Sequence, residues 1–171
     1  MPIKRKPNRL KEYDYSQNGA YFITICTKNH RPILGTIVAD AALGVPNIRL
    51  SKYGEIVRDL IQTIPISNPN VSVPHFIIMP NHIHMIIVID VQMNDLQASE
   101  KHTYRTPRAA FATIPVVVNA LKGLSSKGAG FSLWRRSFHD HIIRNDADYN
   151  RIAEYIQNNP ARWKEDRYYN N

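Results

Sequence analysis

Residues 73–89, Val-Pro-His-Phe-Ile-Ile-Met-Pro-Asn-His-Ile-His-Met-Ile-Ile-Val-Ile, contain two strand-like segments on either side of a short turn. Both segments, 73–79 and 82–89, are rich in residues that favour extended strands. Pro80 and Asn81 between them are a turn signal of hairpin length. The stretch therefore predicts an antiparallel pair of strands in the middle of the chain.

Further strands are predicted on the amino-terminal side of this hairpin. The run 21–27 is β-branched and aromatic and follows the turn-forming pair Asn18-Gly19, so it predicts a buried strand. Segments 33–39 and 47–50 predict a second hairpin, joined by a loop that contains glycine and proline.

Two segments have helical patterns in the first 130 residues. Apolar residues at helical spacing after the N-cap candidate Ser51 predict a helix over 52–63, which Pro65 ends. Residues 108–127 predict a second helix, which Pro115 starts or kinks because proline lacks a backbone N–H.

A third helix is predicted from a cap at Asn145 or Asp146 to about Asn159, where Pro160 ends it. The polar segment 91–106 has no period and predicts a mobile loop. Strands interrupted by helices, with an antiparallel hairpin in the middle, predict an α+β sandwich in which helices flank a central antiparallel sheet.

The length of 171 residues predicts one domain over 1–171, with a basic arm over about 1–12 and a polar tail over about 164–171. No apolar run is long enough for a membrane span, which predicts no membrane partner. Cys26 is the single cysteine, so an intramolecular disulfide is excluded and a cytoplasmic location is expected.

The formal charge of +8 makes nucleic acid the leading candidate partner, because clustered cations release counterions from a polyanion. Two basic stretches are candidate DNA contacts, and the second is interleaved with aromatic residues that stack on unpaired bases. The candidate residues are Lys4, Arg5, Lys6 and Arg9 in the arm, and Arg135, Arg136 and Arg144 farther on. A disordered tail and a solvated strand edge are the alternative interpretations.

His82 and His84 are two apart on a predicted strand, so both imidazoles project from one face. That geometry suits two ligands of one metal ion. The alternative is a pair of partly buried histidines that each donate a hydrogen bond to a backbone carbonyl. A second such pair, His139 and His141, has the same spacing and receives no role.

Three blocks of sequence resemble the REP-associated tyrosine transposase family of single-tyrosine DNA transposases. Residues 79–88 are similar to its His-hydrophobic-His signature, 133–144 to its aromatic and basic segment, and 151–163 to its catalytic helix. Residues 13–27 also resemble the first strand of the family together with the segment that precedes it. The resemblance covers nearly the whole chain and is weakest over 91–107. It implies a ferredoxin-like sandwich of the HUH-endonuclease type.

The resemblance implies that Tyr155 is the nucleophile and that Asn159 completes a metal site with His82 and His84. Helical spacing places Tyr155 and Asn159 on one face. Because a residue before proline is biased away from helical geometry, Asn158 or Gln157 remains an alternative ligand. Two neutral imidazoles and a neutral amide favour Mg²⁺ or Mn²⁺ as the cofactor.

The implied activity is cleavage and rejoining of single-stranded DNA through a 5′-phosphotyrosine link, with hairpin or palindromic ends as partners. A homodimer remains open. One alternative is a domesticated relative that binds DNA hairpins without cutting them. Another is a metal-dependent hydrolase without a covalent step, in which replacement of Tyr155 by Phe would spare cleavage. A phenol titrates near ~10, so Tyr155 needs an activating group, which the sequence does not identify.

Overall fold

The computed structural model describes residues 18–39, 46–90 and 112–169. The elements of these ranges are β1 Gly19–Cys26, β2 Gly35–Ala39, β3 Pro46–Leu50, α1 Lys52–Ser67, β4 Val71–Met79, β5 His82–Ile89, α2 Ile114–Ala129, β6 His139–Ile143 and α3 Asp146–Asn158, with 3₁₀ turns at Lys28–His30 and Trp163–Glu165. The predicted basic arm with Lys4, Arg5, Lys6 and Arg9, and the predicted loop over 91–106, lie outside the described residues.

Four strands form one antiparallel sheet in the order β4-β5-β1-β6, and β2 with β3 form a separate hairpin. In the central strand β1, Thr24 pairs with His84 on one side and with His139 on the other. Together with α1 and α2, these four strands follow each other as β-α-β-β-α-β, the ferredoxin-like arrangement. The predicted α+β fold with a central antiparallel sheet is confirmed.

Side chains alternate between the two sides of the sheet, and apolar side chains occur on both sides. Helices therefore cover both faces. Ile23, Ile83 and Met85 belong to the core that also contains the buried aliphatic side chains of α1 and α2. On the opposite face, Ile86 packs in a smaller cluster with the buried residues of α3. His82 and His84 are four and two residues before Ile86 on β5, so their side chains lie on the same face of the sheet as Ile86. They therefore face α3.

The proline in α1 does not end the helix where the sequence pattern predicted. The helix continues through Pro65 to Ser67, so the prediction that it stops before Pro65 is wrong. Pro65 sits in the last turn, where its missing N–H removes one helical hydrogen bond and little helix follows. The chain leaves the helix at Asn68, whose backbone and side-chain nitrogens donate to Ile64 O at 2.9 and 3.1 Å.

Helix α2 begins at Ile114 with Pro115 in its first turn, where a backbone N–H has no intrahelical partner anyway. Ala112 is not helical and Thr113 is extended, so the predicted start at 108 is wrong. The helix ends at Ala129 and is capped by Gly130, whose φ of 80° favours glycine. No helix in the described ranges is long and apolar enough to cross a membrane.

Candidate active site

His82 begins β5 and is fully buried on the face of α3. Its orientation is fixed by Asn81, whose Nδ2 donates to Tyr168 O at 2.6 Å. Asn81 Oδ1 must then accept from His82 Nδ1, which lies 2.9 Å away. The proton is therefore on Nδ1, and the lone pair is on Nε2. His82 Nε2 is buried and makes no hydrogen bond within the described part of the chain.

His84 lies two residues farther along β5, with 1% of its surface exposed. The centroids of the His82 and His84 rings are 4.4 Å apart, as the shared strand face predicts. Thr24 Oγ1 on β1 lies 2.8 Å from His84 Nδ1 and holds the ring from the cross-strand position. The other ring nitrogen, Nε2, lies 3.4 Å from the hydroxyl oxygen of Tyr155.

Both imidazoles are held in the neutral form. Burial lowers the pKa of His82 from 6.5 to about 4, although the carboxylate of Asp166 opposes the shift. Burial also lowers the pKa of His84 well below its usual value, and the neighbouring His82 and Arg167 act in the same direction. Neutral imidazole is the form that binds a metal ion, so no proton has to leave either ring at neutral pH.

Tyr155 projects from α3 towards the histidine pair and is 38% exposed. Its hydroxyl donates to Asp166 Oδ2 at 3.3 Å. Burial and the negative charge of Asp166 raise the pKa of Tyr155 to about 12, although a hydrogen bond with Asn159 acts against them. The phenol is thus strongly protonated at neutral pH in the metal-free protein.

Asn159 lies one turn beyond Tyr155, and only 2% of its surface is exposed. Its backbone is helical, with φ −58° and ψ −40°, so the geometry expected before Pro160 is not adopted. Asn159 Nδ2 donates to Asp166 Oδ2 at 3.0 Å, while Oδ1 is buried and has no hydrogen-bond partner among the described residues. The two alternatives, Gln157 and Asn158, are exposed.

Asp166 is the site residue that sequence reasoning missed. It lies in the predicted polar tail, yet its side chain is only 1% exposed. Asp166 Oδ2 is 3.8 Å from His82 Nε2, and Asp166 Oδ1 accepts from Tyr168 N at 2.7 Å. One ligand atom each from His82, His84 and Asp166 lie within 4.8 Å of one another. The aromatic residues Trp163 and Tyr168 beside it were the signal that this segment packs against the protein.

Tyr155 lines a cleft of about 460 Å³. Its rim carries His139 and His141 from β6, together with Arg151 and Arg167. His141 Nε2 lies 2.8 Å from Asp148 Oδ2, and Asp148 also pairs with Arg151. His139 and His141 therefore border the cleft and do not join the buried histidine pair. The described lining also includes the acid Asp140, so the cleft combines two arginines and neutral donors with one carboxylate.

The predicted DNA contacts Arg135, Arg136 and Arg144 are exposed, and none of them lines this cleft. Arg135 Nη1 lies 2.6 Å from His30 Nε2, and the neighbouring Trp134 forms an isolated antiparallel bridge with Thr27. The structure thus brings Tyr155, His82, His84 and Asn159 together and leaves the three arginines on the surface outside the group.

Comparison with known proteins finds one relative in sequence and solved structures with a similar fold. No family model matches the chain. A Haemophilus influenzae protein described as uncharacterized is 36% identical over 173 residues, covering 96% of this chain and 93% of that protein. A REP-associated tyrosine transposase bound to a REP hairpin has a TM-score of 0.60 at 20% identity, with 90% and 74% coverage. A candidate transposase from Deinococcus radiodurans has a TM-score of 0.46 at 18% identity, with 88% and 95% coverage.

Proposed function

The chain belongs to one family with the Haemophilus influenzae protein, and from its transposase-like fold and its site we propose that it is a single-tyrosine DNA strand transferase. It would cut single-stranded, hairpin-containing DNA and rejoin it to another strand. The observation that carries the proposal is the position of the Tyr155 hydroxyl, 3.4 Å from His84 Nε2 and 3.3 Å from Asp166 Oδ2. A nucleophile beside a group of metal-ligand atoms is what this chemistry requires.

The residues present fit a divalent cation, Mg²⁺ or Mn²⁺. Two buried acceptor atoms, His82 Nε2 and Asn159 Oδ1, make no hydrogen bond within the described ranges, and such atoms cost free energy unless something binds them. We assign the ion to His82, His84 and Asn159, with the carboxylate of Asp166 as a further ligand or counter-charge. When bound, it would polarise a phosphate oxygen and favour the phenolate.

In the proposed reaction, Tyr155 Oη attacks the phosphorus of a DNA phosphodiester. The phosphorus–O3′ bond breaks, the 5′ side remains linked to Tyr155, and the leaving 3′ oxygen takes up a proton. Asp166 Oδ2 accepts the hydrogen bond of the Tyr155 hydroxyl, and in the proposed step it would take the proton. Attack by a 3′-hydroxyl on the phosphotyrosine reverses the step, so bond energy is conserved and no nucleotide cofactor is needed.

The surroundings of the cleft support a nucleic-acid substrate. Arg151, Arg167 and His139 on its rim can hold the phosphates on either side of the cut. The hairpin is proposed because the transposase with this fold was solved with a REP hairpin. Arg135, Arg136 and Arg144, together with the basic arm, remain proposed contacts for DNA outside the cleft. A homodimer stays a proposal.

The test is to trap a covalent protein–DNA adduct on a denaturing gel. Wild-type protein is incubated with Mg²⁺ or Mn²⁺ and a panel of labelled single strands that carry hairpins. Tyr155→Phe is the test variant. Tyr149→Phe is the matched control, because it removes the same hydroxyl from the same helix outside the site. We expect a metal-dependent adduct in wild type and Tyr149→Phe, and none in Tyr155→Phe.

Cleavage that survives in Tyr155→Phe would replace the proposal with metal-dependent hydrolysis. Binding of hairpins by wild type without any adduct would replace it with the domesticated hairpin-binding function.

A further inference from the structure

A second groove, of about 740 Å³, lies on the other side of the C-terminal turn from the cleft. One wall is formed by residues 160–165 and Tyr169, and the other by Pro80 and the hairpin of β2 and β3. The groove is larger than the cleft at Tyr155 and contains none of the residues assigned above to the metal site.

Two aromatic rings meet at a right angle in this groove. The centroids of Trp163 and Tyr169 are 5.3 Å apart, and the ring planes make an angle of 86°. Both side chains are half-buried. A flat guest that stacks on one of two perpendicular rings lies edge-to-face with the other, and both arrangements are favourable for aromatic groups. The shape suits a planar heterocycle.

The charge beside these rings suits a phosphate. Arg162 and Lys164 line the groove, are exposed, and form no salt bridge within the described ranges. Among the described residues that line it, Glu165 is the one acid, so these residues carry an excess of one positive charge. Aromatic stacking next to cations is how proteins hold single-stranded nucleic acid without reading its sequence.

The groove is connected to the site through the turn that both cavities share. Arg167 and Tyr168 of the turn face the cleft, whereas Arg162, Trp163 and Tyr169 face the groove. Trp163 also contacts the metal-site residue His82, with the ring centroids 5.9 Å apart. A strand that enters the cleft therefore has a second binding surface directly beside it.

We propose that this groove binds an unpaired nucleobase of single-stranded DNA, stacked on Trp163 or Tyr169, with Arg162 and Lys164 holding its phosphates. The proposal rests on the proposed function only in taking DNA as the ligand. It extends the site from the cut phosphate to an unpaired nucleotide held outside the cleft.

The test uses full-length Tyr155→Phe protein in EDTA, so that neither cutting nor metal binding contributes. The probe is an oligodeoxythymidylate of eight nucleotides, compared with the same strand carrying abasic sites and with a duplex of equal length. Trp163 fluorescence reports binding, because the other tryptophan, Trp134, is buried and hydrogen-bonded to Ser125 Oγ in the core.

We expect the intact strand to quench Trp163 and to bind more tightly than the abasic strand or the duplex. Tyr169→Ala should weaken binding about tenfold, as expected for the loss of a stacking partner. Lys164→Ala should weaken it in a salt-dependent way, whereas Lys127→Ala, an exposed lysine at the end of α2, should not.

Equal affinity for intact and abasic strands, or tighter binding of duplex, would overturn the proposal. So would an unchanged Trp163 signal on binding. Each of these results is independent of adduct formation, since the assay excludes both the nucleophile and the ion. Failure of this groove and failure of the strand-transfer chemistry are therefore distinguishable.

Discussion

The metal-free protein should lose stability in mild acid because His82 is buried in its neutral form. Folding lowers the pKa of His82 from 6.5 to about 4, so the unfolded chain binds a proton at a higher pH than the folded chain does. Stability therefore falls as the pH drops through the unfolded value of 6.5 and continues to fall until about 4. His84, whose pKa burial lowers further, contributes in the same direction.

The magnitude follows from linkage. Between pH 7 and 5 the unfolded chain becomes protonated at His82 and the folded protein does not, which costs about 2 kcal/mol of unfolding free energy. For a chain of this size that corresponds to a melting temperature lower by roughly 4–8 °C. A divalent ion added at pH 7 should raise the melting temperature, since it binds the neutral imidazoles of the folded state.

The assay is urea unfolding in EDTA at pH 7, 6 and 5 for wild type and His82→Gln. The variant lacks the titrating group, so it should lose about 2 kcal/mol less than wild type between pH 7 and 5. His75→Gln is the control, because it removes an imidazole from β4, where the ring contacts Tyr149 outside the His82 site, and we expect its losses to parallel those of wild type. Parallel losses in wild type and His82→Gln would refute the reasoning.

Two further predictions concern the proposed metal site and the packing of α1. Asp166→Asn should weaken Mn²⁺ binding about 10- to 100-fold by calorimetry, since it removes a charge beside the proposed ligands, whereas the exposed Glu165→Gln should leave it unchanged. Equal affinities would contradict the placement of the ion. Gly54→Ala should destabilise by about 1–3 kcal/mol, because its Cβ would overlap Leu34 O, whereas Gly123→Ala, an open helical site, should stabilise by about 1 kcal/mol in thermal melts.

Much of the fold was predictable because its signals are local. The turn at Pro80 and Asn81 and the strands on either side lie within 17 residues, and a strand's period of two fixed His82 and His84 on one face without tertiary information. Helical spacing in the same way predicted that Tyr155 and Asn159 share a face. These patterns depend only on backbone geometry.

The features that the sequence did not predict depend on contacts between distant segments. Asp166 reaches the site because the chain after α3 turns back over the sheet, where Asn81 Nδ2 holds Tyr168 O. Nothing in the local spacing of a carboxylate reports such a return. The extension of α1 through Pro65 is a similar case, since the packing of α1 against the sheet and α2 outweighs one missing hydrogen bond.

The protonation of Tyr155 sets the energetic demand of the proposed reaction. With a pKa of about 12, full ionisation at pH 7 spans five units, which is about 7 kcal/mol. Asp166 contributes to that demand, because its charge and its hydrogen bond both favour the neutral phenol. A divalent ion bound with two neutral imidazoles, a neutral amide and this single carboxylate would still leave one net positive charge beside the phenol oxygen. The same carboxylate therefore opposes the phenolate in the metal-free protein and helps to hold the ion that favours it. Removing the metal ion should therefore reduce activity by more than the loss of the ion from the two histidines alone would. Without the ion, the charge of Asp166 also keeps the Tyr155 phenol protonated.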